Sequence, residues 1–255
     1  MRLLLSILMF AAALRAQKLN EQESVALIEK ARLEALRYTS ALPDFICTEL
    51  IHRYQDPRGN SRWQRIDVLT VKLAFFEHHE DYKLLEINGK PTLLDFLNTG
   101  GPISKGEFGS LLLQLFHPVS AAQFRLKGFT TRHKRRSAVY SFRVDQAHTR
   151  FHITFGDVSE GPNHILAPYH GEVTVELETG RILHITQHAE LPTGFPIRES
   201  SAFVEYDLAE VGGIRYLLPL HAETTMAAGK LKTWNVADFK EYRKFQTEAT
   251  ITFDK

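Results

Sequence analysis

Twelve histidines are this chain's largest store of metal-ligating side chains. The densest cluster is His78-His79-Glu80-Asp81. Imidazole and carboxylate together suit zinc and neighbouring first-row ions. Adjacent residues on a strand point to opposite faces, however, so His78 and His79 do not readily share one ion. The cluster falls between two strand candidates, where a solvated turn is expected. His148 and His152 are four residues apart, as are His184 and His188. On strands each pair shares a face but lies roughly 13 Å apart, too far for one ion. There is no H-E-x-x-H and no cysteine-containing ligand set. The sequence therefore predicts no metal site and no cofactor, although a site assembled from distant strands leaves no local signature.

Nucleophilic catalysis has no better footing. Neither a G-x-S-x-G elbow nor an S-x-x-K with its partner motifs is present. Gly106-Glu107-Phe108-Gly109-Ser110 has glycines but lacks the lysine of a phosphate-binding loop, and reads as a helix start. No catalytic residue is assigned. Arg132-His133-Lys134-Arg135-Arg136 is the one dense charge run. It lies between two strand candidates, as a solvated hairpin loop would. Its sharper reading is that Arg132, Lys134, Arg135 and Arg136 contact anionic lipid headgroups or an acidic partner. The chain is rich in aromatics, with 17 Phe, 8 Tyr and 2 Trp. Trp63, Phe75 and Tyr82 fall on an early hairpin and Phe108 opens a helix. These four are the candidate lining of a ligand cavity, against ordinary core packing as the plainer reading.

The elements that must position these groups follow from periodicity. Asn20 to Ser40 reads as a first helix, with Asn20 and Glu23 as a capping box and Pro43 beyond its end. Asp44–Tyr54 and Ser61–Phe76 read as a hairpin across Asp56-Pro57-Arg58-Gly59-Asn60, with Leu69, Val71, Leu73 and Phe75 on one face. Asp81–Ile87 is a further strand, closed by an Asn88-Gly89 turn of the type I′ class. A second helix is expected near 104–117, capped by Ser104 and Glu107, largely buried, and stopped by Pro118. From Ala122 the chain reads as a meander. Its strands are Gln123–Thr131, Ala138–Val144, Arg150–Phe155, Glu172–Leu177, Arg181–Glu190, Ser200–Leu208, Ile214–Leu218, His221–Met226 and Lys232–Thr252. The fold class is α+β: a large, curved antiparallel sheet, an open half-barrel, with both helices packed on its concave side.

Composition sets the compartment and the excluded classes. Met1 to Ala16 reads as a cleavable secretory signal peptide: Arg2 supplies the positive start, and Leu3–Leu14 is apolar except for Ser6. Ala16 and Ala13 are the two cleavage positions; Ala13 fits the small-x-small rule better. An ordinary buried N-terminal helix and a retained anchor are the competing readings. Residues 17–255 are then one β-rich domain, expected to be periplasmic or secreted. The single cysteine, Cys47, sits in an apolar stretch and forms no internal disulfide, so a packed core must carry stability. A formal charge of +1 argues against bulk nucleic-acid binding. No later segment is apolar enough to span a bilayer.

The order of elements resembles the lipoprotein-carrier superfamily of periplasmic proteins, typified by LolA, LolB and the N-terminal part of RseB. Two local pieces resemble it most. Gly171-Glu172-Val173-Thr174-Val175-Glu176-Leu177-Glu178-Thr179-Gly180-Arg181-Ile182 is similar to a strand–turn–strand with a D-x-x-T-G type turn. Val211-Gly212-Gly213-Ile214-Arg215-Tyr216-Leu217-Leu218-Pro219 is similar to a later x-x-G-x-x-x-P strand. The resemblance implies an open barrel with a helical lid over an apolar cavity, and binding of acyl chains or lipoproteins; no family ligand residue transfers to a numbered position. The leading expectation is an exported, non-enzymatic protein whose partner is an apolar or acylated ligand or an envelope protein. The alternatives are an envelope interaction module with a filled core, and a secreted hydrolase built from scattered His, Asp and Glu.

Overall fold

The computed structural model describes residues 19–101, 103, 108–155 and 163–245. The expected signal segment, the Ser104–Glu107 capping box and the end of the last expected strand lie outside these residues. Helix α1 (Glu21–Ala41) starts as its sequence dictates. The Asn20 side chain accepts from the Glu23 N–H at 2.9 Å, and the Glu23 carboxylate accepts from the Asn20 N–H at 2.8 Å. These bonds satisfy donors that the first helical turn leaves without partners.

The strands β1 (Phe45–Asp56), β2 (Gln64–Phe76), β3 (His79–Ile87) and β4 (Lys90–Pro91) follow as hairpins. Asn88 and Gly89 have φ of 53° and 72°, as a type I′ turn requires. Glu77 and His78 take positive φ in the preceding turn. Helix α2 (Ser110–Phe116) then precedes β5 (Gln123–Arg132), β6 (Arg135–Val144), β7 (His152–Phe155), β8 (Asn163–Leu166), β9 (Tyr169–Glu176), β10 (Ile182–Ala189), β11 (Ile197–Val211), β12 (Ile214–Ala228) and β13 (Leu231–Lys244). Eleven strands form one open antiparallel sheet in the order β4-β3-β2-β1-β13-β12-β11-β10-β9-β6-β5, and β7 pairs with β8 apart from it. The first and last strands thus meet in the middle: Glu49 lies opposite Phe239, and Ile51 opposite Ala237.

One face of this sheet is buried. Phe45, Cys47 and Ile51 of β1 share it with Leu69, Val71, Leu73 and Phe75 of β2, whose register places them side by side. Across the sheet Tyr140, Val173, Ile185 and Val204 continue the same face. Both helices cover it, α1 through Leu27, Ile28, Ala31 and Ala35, and α2 through Leu112, Leu115 and Phe116. Helix α1 runs across the strands, from Tyr140 of β6, whose hydroxyl meets Ser24, to Tyr206 of β11, which packs edge-on to Tyr38. Phe108 sits between Phe45 and Phe239 ahead of α2, and Phe116 stacks on Phe124 of β5. A small second core, Ile153, Ala167 and Ile197, fixes the β7–β8 hairpin.

Two features depart from the periodicity reading. Strand β12 is continuous where the sequence suggests two strands broken at Pro219. The ladder to β13 runs only from His221 to Ala228, so Pro219 lies where no β13 partner needs its missing N–H. The β11–β12 register also shifts beside it, between Glu205 and Tyr206, and Tyr242 donates its hydroxyl to the Pro219 carbonyl. Strands β4 and β8 have no counterpart in the sequence reading; two and four residues are too few to show a period. At Gly171 two strands approach too closely for any side chain. A Cβ there would lie 1.9 Å from the Thr186 carbonyl oxygen. No helix among the described residues is long and apolar enough to cross a membrane.

Candidate functional site

Glu34, Ala35, Tyr38 and Ala41 of the C-terminal half of α1, with Leu42 just past its end, line one hollow against the sheet. Opposite α1 stand Arg181, just ahead of β10, Ile182 at its start, and Arg215, Tyr216 and Leu217 near the start of β12. Pairing brings these strand starts to one end of the sheet: His184 faces Glu205 of β11, and β11 runs on to Val211 and turns back at Ile214. Leu112 of α2 completes the enclosure. Between them lies a cavity of about 150 Å³. Ala35, Leu42, Leu112, Ile182 and Leu217 are buried and give it an apolar interior. Arg37, Arg181 and Arg215 are exposed and form its mouth, with Glu34 as the accompanying carboxylate. An engineered apolar cavity of about this size binds benzene, whereas sites for drug-sized ligands run from about 300 Å³. The cavity thus has room for part of one apolar chain and not for several.

The β9–β10 turn positions Arg181. Thr179 donates to Glu176 and accepts from the Arg181 N–H at 3.2 Å. Lys30 of α1 donates to the Glu178 carbonyl, and Gly180, at φ 77°, lies against the same lysine. The Tyr38 hydroxyl, by contrast, is buried without a hydrogen-bond partner among the described residues, and burial raises its pKa far above the ordinary phenol range, with Glu80 adding to the effect.

A more open hollow of about 240 Å³ lies along α2, lined by Leu113, Gln114, His117, Val119, Ser120 and Arg150; among the described residues the β1–β2 side of the concave face is filled. A water-sized gap of about 20 Å³ lies between β1, β12, β13 and the turn at Phe96. Arg53 beside it is buried and fully engaged: it donates twice to Asp67 at 2.7 Å and also bonds Thr99 and Gly100. Cys47 is buried; desolvation, with Glu49 and Glu80 adding repulsion, pushes its thiol well above the usual range. Such a thiol is a poor nucleophile.

The four aromatic candidates separate. Phe75 and Phe108 are buried and both pack on Phe45, with ring centroids 5.3 and 5.2 Å away. Tyr82 stacks on Phe96 at 5.5 Å. Trp63 is 39% exposed and packs against Trp234, which stacks on Tyr54. None of the four lines the cavity under α1. In the basic run, His133 and Lys134 form a turn with positive φ. Arg132 pairs with Glu205 at 2.9 Å, and Arg135 pairs with Asp207 and lies 3.7 Å from Glu176. His133 bridges Glu205 and Asp207 at 3.1 and 3.2 Å. Burial opposes ionisation of Asp207, but the Leu208 N–H and Arg135 outweigh it and hold its carboxyl below the usual range. Lys134 is exposed, and Arg136 has partners of its own. Two of the four cations are therefore committed to carboxylates of β11.

Histidines collect on the face away from the helices. His184 lies edge-on to Phe203 at 4.7 Å, His221 lies beyond the same ring, and His188 stacks on His170. Among the described residues no three His, Cys, Asp or Glu side chains are grouped to hold a metal ion. Sequence reasoning did not single out Arg37, Arg181, Arg215 or Tyr38. They carry no motif, and only the helix–sheet crossing brings them together.

Neither a protein-family model nor a curated protein sequence matches the chain. Solved structures similar to it include a DUF1329 family protein from Desulfovibrio piger, at 8% identity and TM-score 0.38, with 88% of this chain and 95% of that one covered. A LolA superfamily protein from Nitrosomonas europaea is similar at 10% identity and TM-score 0.32, with 90% and 97% covered. An outer membrane lipoprotein-sorting protein domain from Vibrio parahaemolyticus is similar at 11% identity and TM-score 0.41, with 88% and 94% covered.

Proposed function

We propose that the chain is an exported binding protein that holds an apolar or acylated ligand between its sheet and α1. One observation carries this reading: the apolar cavity of about 150 Å³ closed by α1, β10, β12 and α2. Its size favours the end of a single acyl chain over a multiply acylated anchor. The reading of Met1–Ala16 as a signal peptide supports a periplasmic or secreted setting. The test is uptake of dodecanoate by the purified mature chain, followed by calorimetry and native mass spectrometry. Leu217→Trp, which fills the cavity from its wall, is expected to weaken uptake at least tenfold. A folded wild-type protein that takes up no amphiphile overturns the proposal.

A second reading has its own support. Much of the rest of the concave side is packed by Phe45, Phe75, Phe108 and Phe116, all buried. A filled interior suits an envelope interaction module that works through its surface. Absence of uptake together with capture of a specific envelope protein would favour it.

A further inference from the structure

We propose that Arg37, Arg181 and Arg215 form an anion subsite at the mouth of this cavity, so that the ligand is an amphipathic anion: one acyl chain ending in a carboxylate or a phosphate. The inference rests on the cavity reading above and adds the chemistry of the headgroup.

The three arginines come from α1, the turn into β10 and the start of β12, and all three line this one cavity. Guanidinium groups stay charged at any pH at which the protein folds. Among the described residues none of the three is ion-paired, whereas Arg132 and Arg135 on neighbouring strands are held by Glu205 and Asp207. Glu34 is the one carboxylate in the lining and Glu210 lies opposite Arg215 in the β11–β12 ladder, so three cations meet two carboxylates at the mouth. Solvated cations at the rim of an apolar hole offer two environments a few ångströms apart. A tail enters the hole and leaves water, as apolar burial favours. The planar forks of the arginines match the paired oxygens of a carboxylate or phosphate. A neutral chain gains only the first of these, and a free inorganic anion only the second.

The experiment uses the mature chain and four probes below their micelle-forming concentrations: dodecanoate, dodecyl phosphate, the neutral glycerol monoester of dodecanoic acid, and inorganic phosphate. Calorimetry is expected to show both anionic amphiphiles binding at least tenfold more tightly than the neutral ester, with no measurable binding of inorganic phosphate. The triple variant Arg37→Gln, Arg181→Gln, Arg215→Gln is expected to lose at least tenfold toward the anionic probes and to keep its affinity for the neutral one. Single variants Arg181→Gln and Arg215→Gln, each with an unchanged thermal midpoint, are expected to lose about threefold and serve if the triple variant does not fold. Equal binding of neutral and anionic probes, or unchanged anion affinity in the variants, overturns the subsite while the cavity reading stands. Binding of inorganic phosphate as tight as that of dodecyl phosphate overturns the amphiphile assignment. Binding of none of the probes removes both.

Discussion

His184 sits on the face of β10 away from α1, buried edge-on against Phe203. Burial disfavours its charged form, Arg132 adds to that, and Glu205 only partly opposes them, so its pKa falls to about 4. In the unfolded chain an imidazole titrates near pH 6.5. A depressed base binds protons in the unfolded state first. His184 therefore leaves stability intact above about pH 6.5 and drains it as pH falls toward 4, by on the order of 3 kcal/mol. His221, beyond the same Phe203 ring, has the opposite sign. Burial works against its charge, but hydrogen bonds that the ring donates to Asp238 and Glu223, at 2.9 and 3.1 Å, raise its pKa. Its contribution is present below about pH 6.5 and is lost as pH rises through the folded value. Urea unfolding across pH 4.5–8 should show His184→Gln flattening the acid limb of the stability profile. His221→Gln should cost more at pH 5.5 than at pH 8. An acid limb unchanged in His184→Gln would mean that other groups set it. Tyr38 supplies a further test. Its hydroxyl is buried without a partner among the described residues, and such a group costs about 1–3 kcal/mol. Tyr38→Phe should leave the thermal midpoint unchanged or raise it, and a clear fall would reveal a partner for that hydroxyl.

Helix α1 is held to the sheet by a turn as well as by its apolar face. Gly180, at φ 77°, closes the β9–β10 hairpin, and a Cβ there would lie 2.7 Å from Lys30 Cγ and 3.2 Å from the Lys30 backbone carbon. Gly180→Ala meets both objections at once, a left-handed backbone and a side chain pressed into a helix. It should cost about 2 kcal/mol, or roughly 4–8 °C in the midpoint of a domain this size. Hydrogen exchange should quicken in α1 before it quickens in β1 or β2; uniform quickening would show that the turn does not fasten the helix. The sequence announced the parts of this arrangement but not their meeting. Asn20 and Glu23 cap α1 by a rule that spans four residues, and Glu178-Thr179-Gly180 is local turn chemistry. Nothing within a few residues of Gly180 says that Lys30 will lie on it. The same limit explains β12, whose continuity through Pro219 depends on which stretch of β13 lies alongside.

At the scale of the molecule, pairing of β1 with β13 joins the two arms of the sheet and leaves its ends open at β4 and β5. Alternation and turn residues suffice to read an open antiparallel half-barrel, because each hairpin is a local event. The cavity is a different kind of object: α1, β10 and β12 contribute its walls, and only the finished topology brings Arg37, Arg181 and Arg215 to one rim. An open sheet also carries a hazard, since an unpaired edge can template another strand. The β5 edge answers it with charge. Along Gln123–Arg132 burial alternates, Phe124 and Leu126 turn inward, and Arg125 and Lys127 are exposed. A second edge brought alongside would have to desolvate both cations. Replacing them with good strand formers, Arg125→Val with Lys127→Val, removes that obstacle without touching the core. Light scattering after size exclusion should show larger species than the wild type at equal concentration. The thermal midpoint at low concentration and dodecanoate uptake should stay as they were, because the cavity lies at the ends of α1, β10 and β12 rather than at β5. An elution profile identical to the wild type would place the protection elsewhere, in the bulge of β5 between Leu126 and Gly128.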